Sequence, residues 1–380
     1  MRTIILFENL SLFELQQYWW MIIALLGAVL VFLLFVQGGQ SLIYSLGKED
    51  KHRTLILNSI GRKWEFTFTT LVTFGGAFFA SFPLFYATSF GGAYWAWITL
   101  LFCFIIQAVS YSYRGKENNF LGKKTYDAFL FINGLISPVL IGIVVGSFFT
   151  GSGFHLTENF SVRWDSQLRG LELLLESQNL ILGLAILFLS RTLACLYFKN
   201  NIESKGLISK VNKSLKINSG AFIGFLLYWV TILIFSDGYT VNSDGIVNIE
   251  EYKYLHNLLQ LPINSAILII GLILILVGII ISIKKPNYTK GIWYSGIGTV
   301  LLIFSIFLLT GLNNTSFYPS TTYMQSSLTI KNASSSHYTL TAMSYISLLI
   351  PLVIAYIWYA WKALNKEKIS SQNIKNEYKY

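Results

Sequence analysis

Residues 263–312 read INSAILIIGLILILVGIIISIKKPNYTKGIWYSGIGTVLLIFSIFLLTGL: two long apolar stretches, 263–283 and 292–312, on either side of a short segment carrying Lys284, Lys285 and Lys290. At about 1.5 Å of rise per residue, each stretch as a helix crosses a hydrocarbon layer of roughly 30 Å. Working outward from this pair, seven more such stretches occur at 18–36, 66–88, 92–112, 126–149, 179–198, 219–236 and 339–361. The chain is 54% hydrophobic and only 12% charged, so little remains from which to build a soluble domain. The pattern predicts an all-α, polytopic membrane helix bundle of about nine transmembrane helices, with residues 1–380 forming a single integral membrane domain.

The distribution of charge gives that bundle an orientation. Of the 28 Lys and Arg residues, 22 fall in every second gap: Lys48, Lys51, Arg53, Arg62 and Lys63; Arg114, Lys116, Lys123 and Lys124; Lys199, Lys205, Lys210, Lys213 and Lys216; Lys284, Lys285 and Lys290; Lys362, Lys366, Lys368, Lys375 and Lys379. The opposite gaps hold Arg2, Arg163, Arg169, Lys253 and Lys331 and are acidic on balance. Basic connections stay in the cytoplasm, which predicts the N-terminus outside, the C-terminus inside, and 365–380 as a flexible basic cytoplasmic tail. Charge so divided between two sides offers no continuous basic face for nucleic acid. Trp and Tyr gather at span ends, as in Tyr18-Trp19-Trp20 and Trp293-Tyr294, where amphipathic rings anchor at the interface. The longer outer connections, 150–178 and 237–262, leave room for a little structure above the membrane.

The residues that chemistry would need are sparse. The four histidines, His52, His155, His256 and His337, lie in connections, so no span offers an imidazole to a haem iron. Met21 and Met343 do lie in spans, where an isolated Met is ordinarily filler. Cys103 and Cys195 read as small packing residues, with no outer partner for a disulfide. There is no phosphate-binding loop, dinucleotide fingerprint, zinc spacing or catalytic triad. Gly38-Gly39, and Gly76 with Ala80, instead suit close helix approach. The chain is expected to bind no cofactor or metal itself. The informative residues are polar ones at membrane depth: Gln37 and Gln40 at the end of span one, Gln107 near the end of span three and Arg191 within span five. They suit either interhelical hydrogen bonding or the lining of a solute or proton path. Arg191 can also carry its guanidinium to the interface on its long stem. Glu65 stands in the first turn of span two, where the helix dipole favours a carboxylate.

Residues 64–88, WEFTFTTLVTFGGAFFASFPLFYAT, resemble the second subunit of the cytochrome bd quinol oxidases. The likeness extends upstream through RTLILNSIGRKW (53–64) and downstream through VSYSYRGK (109–116). It returns in YPSTTYMQSSLTIKNASSSHYTL (318–340), similar to the outer loop before that family's last helix. The resemblance implies a haem-free subunit of the bacterial cytoplasmic membrane. It would pair with and stabilise a larger subunit that holds two b-type haems and a d-type haem, in a complex that oxidises quinol from the membrane quinone pool and reduces dioxygen to water. A small accessory subunit and bound lipid fit the same picture. It also implies part of a cytoplasmic proton path near the subunit interface, with Trp64 and Glu65 in the position of the family's Trp-acid pair.

Two departures bear on that path. The family's Asp-Gly-Phe-Asp after span one is Gln37-Gly38-Gly39-Gln40 here, and its Arg-Pro in span three is Gln107-Ala108. Losing the acids alone would strand a buried cation, whereas exchanging the whole charged set for amides can be nearly neutral. The joint change therefore reads as a compensated swap. The alternative function is a secondary transporter or channel with a groove lined by Gln37, Gln40, Gln107 and Arg191. Against it stand the lack of a readable pair of interrupted spans and of a charged coupling site at the midplane.

Overall fold

A computed structural model describes residues 7–116, 118–159 and 161–370. Arg2 and the end of the tail, including Lys375 and Lys379, lie outside the described residues. In chain order the elements begin with α1 (Leu12–Leu33), α2 (Phe35–Ser41), α3 (Ile43–Leu46), α4 (Asp50–Gly61), α5 (Trp64–Ser81), α6 (Pro83–Phe85), a π-helical segment Tyr86–Gly92 and α7 (Tyr94–Tyr113). They continue with α8 (Lys123–Thr150), β1 (Phe154–Leu156), β2 (Val162–Trp164), α9 (Ser177–Asn201), β3 (Ile202–Glu203), α10 (Lys205–Phe235), β4 (Gly238–Val241) and β5 (Val247–Glu250). The chain closes with α11 (Lys253–Gln260), α12 (Pro262–Lys284), α13 (Gly291–Gly311), α14 (His337–Ser347), α15 (Ile350–Leu364) and β6 (Ile369–Ser370).

Among the described residues seven helical stretches, the first of them α1 with α2, are long and apolar enough to cross a membrane, and two bent pairs raise the total to as many as nine. The first bent pair corrects the expectation of an uninterrupted second span. Trp64–Ser81 turns through 118° into Pro83–Gly92. The cause is local: Pro83 has no N–H for the ladder, and a residue before proline is driven out of the helical region, as Phe82 shows at φ −132° and ψ 65°. The Ser81 carbonyl at the break accepts from Ser335 N of the last outer loop at 2.8 Å. The second pair, His337–Ser347 and Ile350–Leu364, bends by 40° ahead of Pro351. Interrupted spans are thus present where the sequence showed none. By contrast Pro138 sits inside α8 without ending it.

α10 begins well before the expected 219, because Leu207, Val211 and Leu215 recur at four-residue spacing and bury one face of a basic N-terminal extension. The outer connections fold as short hairpins, β1 with β2 and β4 with β5, and the loop before α14 drops Phe317 and Tyr318 into the bundle. There their rings meet Phe85 and Phe148, and Trp20 stacks near Phe317 at 4.6 Å. On the inner side β6 pairs with β3 in parallel, so Ile369 is buried and Asn365–Ser370 are tied down ahead of the rest of the tail.

Candidate functional site

Gly38 builds the site. A Cβ there would overlap the Ser190 carbonyl, so its absence lets α2 lie directly on α9; Gly134 of α8 does the same for α2 from the other side. Gln37 and Gln40 are thereby pressed between α7 and α8, and both are fully buried. Gln37 Nε2 and Gln40 Nε2 donate to Gln107 Oε1 at 2.9 and 2.6 Å. Asn133 Nδ2 donates to the same oxygen at 2.7 Å and to Gln40 Oε1 at 2.6 Å. Gln40 Nε2 also reaches Tyr111 Oη at 2.9 Å, and Ser137 Oγ donates to Asn133 Oδ1 at 2.6 Å. Three donors thus converge on one carbonyl oxygen, while Gln107 Nε2 and Gln37 Oε1 have no hydrogen-bond partner among the described residues.

The three glutamines singled out from sequence therefore form one contact cluster. Arg191 joins its edge: Nε donates to Ser41 Oγ at 2.8 Å, Ser41 Oγ donates to the Gly38 carbonyl at 2.7 Å, and the guanidinium lies 5.6 Å from the Phe188 ring centre. Trp64 reaches the cluster through Tyr111, on which it stacks at 6.2 Å and 13°. Glu65 does not. It faces outward from the first turn of α5, exposed, on a stripe with Thr69, Val72, Gly76 and Phe79.

Three participants escaped sequence reading. Asn133 and Ser137 are one turn apart in span four, a signal that was available. Asp127, one span-end away, is 1% exposed and takes Arg114 Nε at 2.5 Å, with Arg53 at 3.8 Å; Arg114 also approaches the exposed Asp50 at 3.7 Å. Asp127 falls inside the expected span 126–149, so an acid at the end of a span was a signal the sequence offered. A buried, paired acid and cation thus lie beside the amide cluster, toward the N-terminal end of α8.

The Gly76 expectation is corrected as well. A Cβ on Gly76 would meet nothing within 4 Å, so this glycine makes no close approach inside the chain. Beside it a groove of about 500 Å³ runs between α5 and α7, lined by Phe68, Phe79, Tyr86, Phe90, Trp97 and Phe104 among others. The exposed face of α12 is instead aliphatic, with Ile263, Ile269, Ile270 and Ile273. Among the described residues no group of three or more His, Cys, Asp or Glu could hold a metal ion. Three of the four histidines are hydrogen-bonded, His155 to Asp165, His256 to Glu250 and His337 to the Leu10 carbonyl, while His52 Nδ1 lies 3.8 Å from Glu49. Met21 faces outward and Met343 packs on the core, so the described residues do not fit a haem between paired axial ligands.

The family of cytochrome bd terminal oxidase subunit II matches residues 15–364. The chain belongs to that family. It is accordingly a multi-pass membrane subunit of a respiratory terminal oxidase, an oxidoreductase complex. It is 27% identical over 370 residues to cytochrome bd-I ubiquinol oxidase subunit 2 of Escherichia coli (strain K12), covering 93% of this chain and 95% of that one. It is 25% identical over 352 residues to cytochrome bd ubiquinol oxidase subunit 2 of Bacillus subtilis (strain 168), covering 91% and 94%. The fold is similar to a chain in the structure of bd oxidase from Geobacillus thermodenitrificans, with a TM-score of 0.65, 13% identity and coverage of 93% of this chain and 100% of that chain. Within this bd oxidase subunit, the contacts between Gln107 and both Gln37 and Gln40 give the paired departures from the family pattern a physical form: the three exchanged side chains touch.

Proposed function

We propose that the chain is the haem-free second subunit of a quinol:oxygen oxidoreductase, pairing with and stabilising a haem-bearing subunit that holds the b- and d-type haems and oxidises quinol from the membrane pool. On this reading the chain is not catalytic alone, its N-terminus is outside, its C-terminus is cytoplasmic, and its remaining perimeter meets lipid or a small accessory subunit. One observation carries the pairing surface. The stripe Glu65, Thr69, Val72, Gly76 and Phe79 advances by alternate steps of four and three residues, the spacing of a helix seam, and borders the aromatic groove between α5 and α7. Aromatic rings are enriched in protein interfaces, and an unobstructed glycine offers a seat to a partner's side chain. Aliphatic α12 suits lipid chains.

Support for proton uptake is of a different kind. The amide cluster carries no carboxylate, so it holds its helices together without storing a proton. Glu65 keeps a carboxylate at the inner end of the proposed pairing stripe, and a proton drawn from the cytoplasm could pass there between the subunits. The test is co-purification with the haem subunit. Gly76→Leu should reduce recovery of the partner at least several-fold while the chain still inserts, whereas Ile270→Trp on α12 should leave recovery unchanged. Full recovery with Gly76→Leu, or equal loss with both, would refute this surface.

A further inference from the structure

Lys63, the residue that opens α5, is fully buried. Its Nζ has no hydrogen-bond acceptor among the described residues. It lies between two rings instead, 5.6 Å from the centre of Tyr197 on α9 and 5.9 Å from that of Trp361 on α15. The contrast with other buried lysines is direct: Lys199 Nζ donates to the Ser282 carbonyl at 2.6 Å, and Lys253 Nζ to Glu250 at 2.8 Å with two further acceptors. A basic side chain withdrawn from water with only ring faces around it has weak support for its ammonium form and strong pressure toward the neutral amine.

The enclosure comes from the C-terminal segment. Trp361 belongs to α15, Tyr197 Oη and Asn201 Nδ2 both donate to Asn365 Oδ1, and β6 pairs with β3 beyond them. Trp361 Nε1 is a second buried donor without an acceptor. Other titratable groups around the box are Arg62, which precedes Lys63, Lys199 farther along α9, Lys362 on α15 over the Trp358 ring, and Glu65, which faces outward on α5. Burial, with the Arg62 charge beside it, pushes Lys63 down to about 7.

We infer that Lys63 is a proton-relay residue at the cytoplasmic edge of the subunit, alternating between amine and ammonium as it takes protons from the inner water and passes them toward the pairing stripe. The amine lone pair takes a proton from hydronium and leaves water. The ammonium then returns that proton to a water or carboxylate acceptor, Glu65 being the next acid along α5, and no electrons move. The inference rests on the proton-uptake reading above. It adds to that reading a residue outside the family's Trp-acid pair, enclosed by Tyr197 of α9 and Trp361 of α15.

The experiment uses the assembled complex with Lys63→Met and Lys63→Arg, measuring quinol-dependent oxygen consumption per haem d from about pH 5.5 to 9. Wild type should show a limb in the pH profile between roughly pH 6 and 8. Both variants should lose that limb and turn over several-fold more slowly at neutral pH, Met because it takes no proton and Arg because it releases none. Profiles that superimpose on wild type would overturn the inference, as would failure of both variants to assemble, which would make Lys63 a packing residue only. Loss of pairing in Gly76→Leu reports on the assembly surface alone, and loss of the pH limb in a fully assembled Lys63→Met complex reports on Lys63 alone.

Discussion

Replacing Gln107 with Met removes the oxygen on which three buried donors converge. Gln37 Nε2 then has no acceptor, while Gln40 Nε2 keeps Tyr111 Oη and Asn133 Nδ2 keeps Gln40 Oε1. One orphaned buried donor costs about 1–3 kcal/mol and each weakened bond a fraction of about 1 kcal/mol, for a total of roughly 2–4 kcal/mol. With an unfolding entropy of about 2.1 cal/mol/K per residue, a chain of this length should lose about 3–5 °C from its thermal midpoint. The double variant Gln37→Met, Gln107→Met removes the orphaned donor together with its lost acceptor, and replacing both partners by apolar groups of like shape is close to neutral. It should regain at least half of the loss, although it carries one more substitution. The assay is tryptophan fluorescence of the solubilised complex on heating at one fixed scan rate, because membrane complexes unfold irreversibly. A Gln107→Met complex as stable as wild type, or a double variant less stable than either single one, would show that the convergence on Gln107 does not hold these helices together.

Reporter fusions after Lys210 should report cytoplasm and fusions at Ser243 the outside; the reverse at both would invert the proposed orientation. The chain purified without its partner should show no stoichiometric haem spectrum, and a full haem band on it alone would refute the proposed division of cofactors. Glu65→Gln should slow oxygen consumption per haem d with haem content and pairing intact, whereas a wild-type rate across pH would remove Glu65 from proton uptake. On the outer side, Glu250 accepts from Lys253 and His256, each at 2.8 Å; burial alone would raise its carboxyl, but those hydrogen bonds hold it below the ordinary range. A lowered carboxyl stabilises the fold above its ordinary pKa and loses that contribution as pH falls through the lowered value. Hydrogen exchange across 238–260 should therefore rise in acid for wild type and already be raised at neutral pH in Glu250→Gln; equal protection at neutral pH would count against the clip.

The spans were legible because the bilayer demands long apolar helices, and their boundaries mostly fall within a few residues of the helices observed. What hydropathy could not show was shape. Phe82-Pro83 was visible as a pair, yet Pro138 looks no different in sequence and leaves its helix whole. The difference lies in Ser335, far along the chain, which satisfies the carbonyl freed at Ser81. The same limit governed the site. Gln37, Gln40 and Gln107 stood out because amides at membrane depth are uncommon, but Lys63 sits among loop charges and Asp127 beside them at the very start of its span, and tertiary packing withdraws both from water. Gly76 carried the opposite ambiguity: a small residue predicts close approach to something, and only the structure shows that nothing in this chain approaches it.

The distribution of charge now bears on where protons can move. In the family pattern the acids after span one and the arginine of span three would place ionisable groups where Gln37, Gln40 and Gln107 stand. Here that layer is neutral and closed by mutual hydrogen bonds, and neutral amides neither store a proton nor attract one. Two arrangements of ionisable groups near that layer bear on the proposed proton route. Asp127 is clamped between Arg114 and Arg53, at 2.5 and 3.8 Å. Lys63 and Glu65 have no such clamp: one lacks any hydrogen-bond acceptor for its Nζ, and the other faces outward on the pairing stripe. A group that must gain and lose protons during turnover needs two protonation states of similar free energy, a condition that a tight ion pair removes and an unpaired group retains. With charge exchanged for amides in the core of the seam, the proposed proton route runs instead by the start of α5, where Lys63 and Glu65 lie two residues apart.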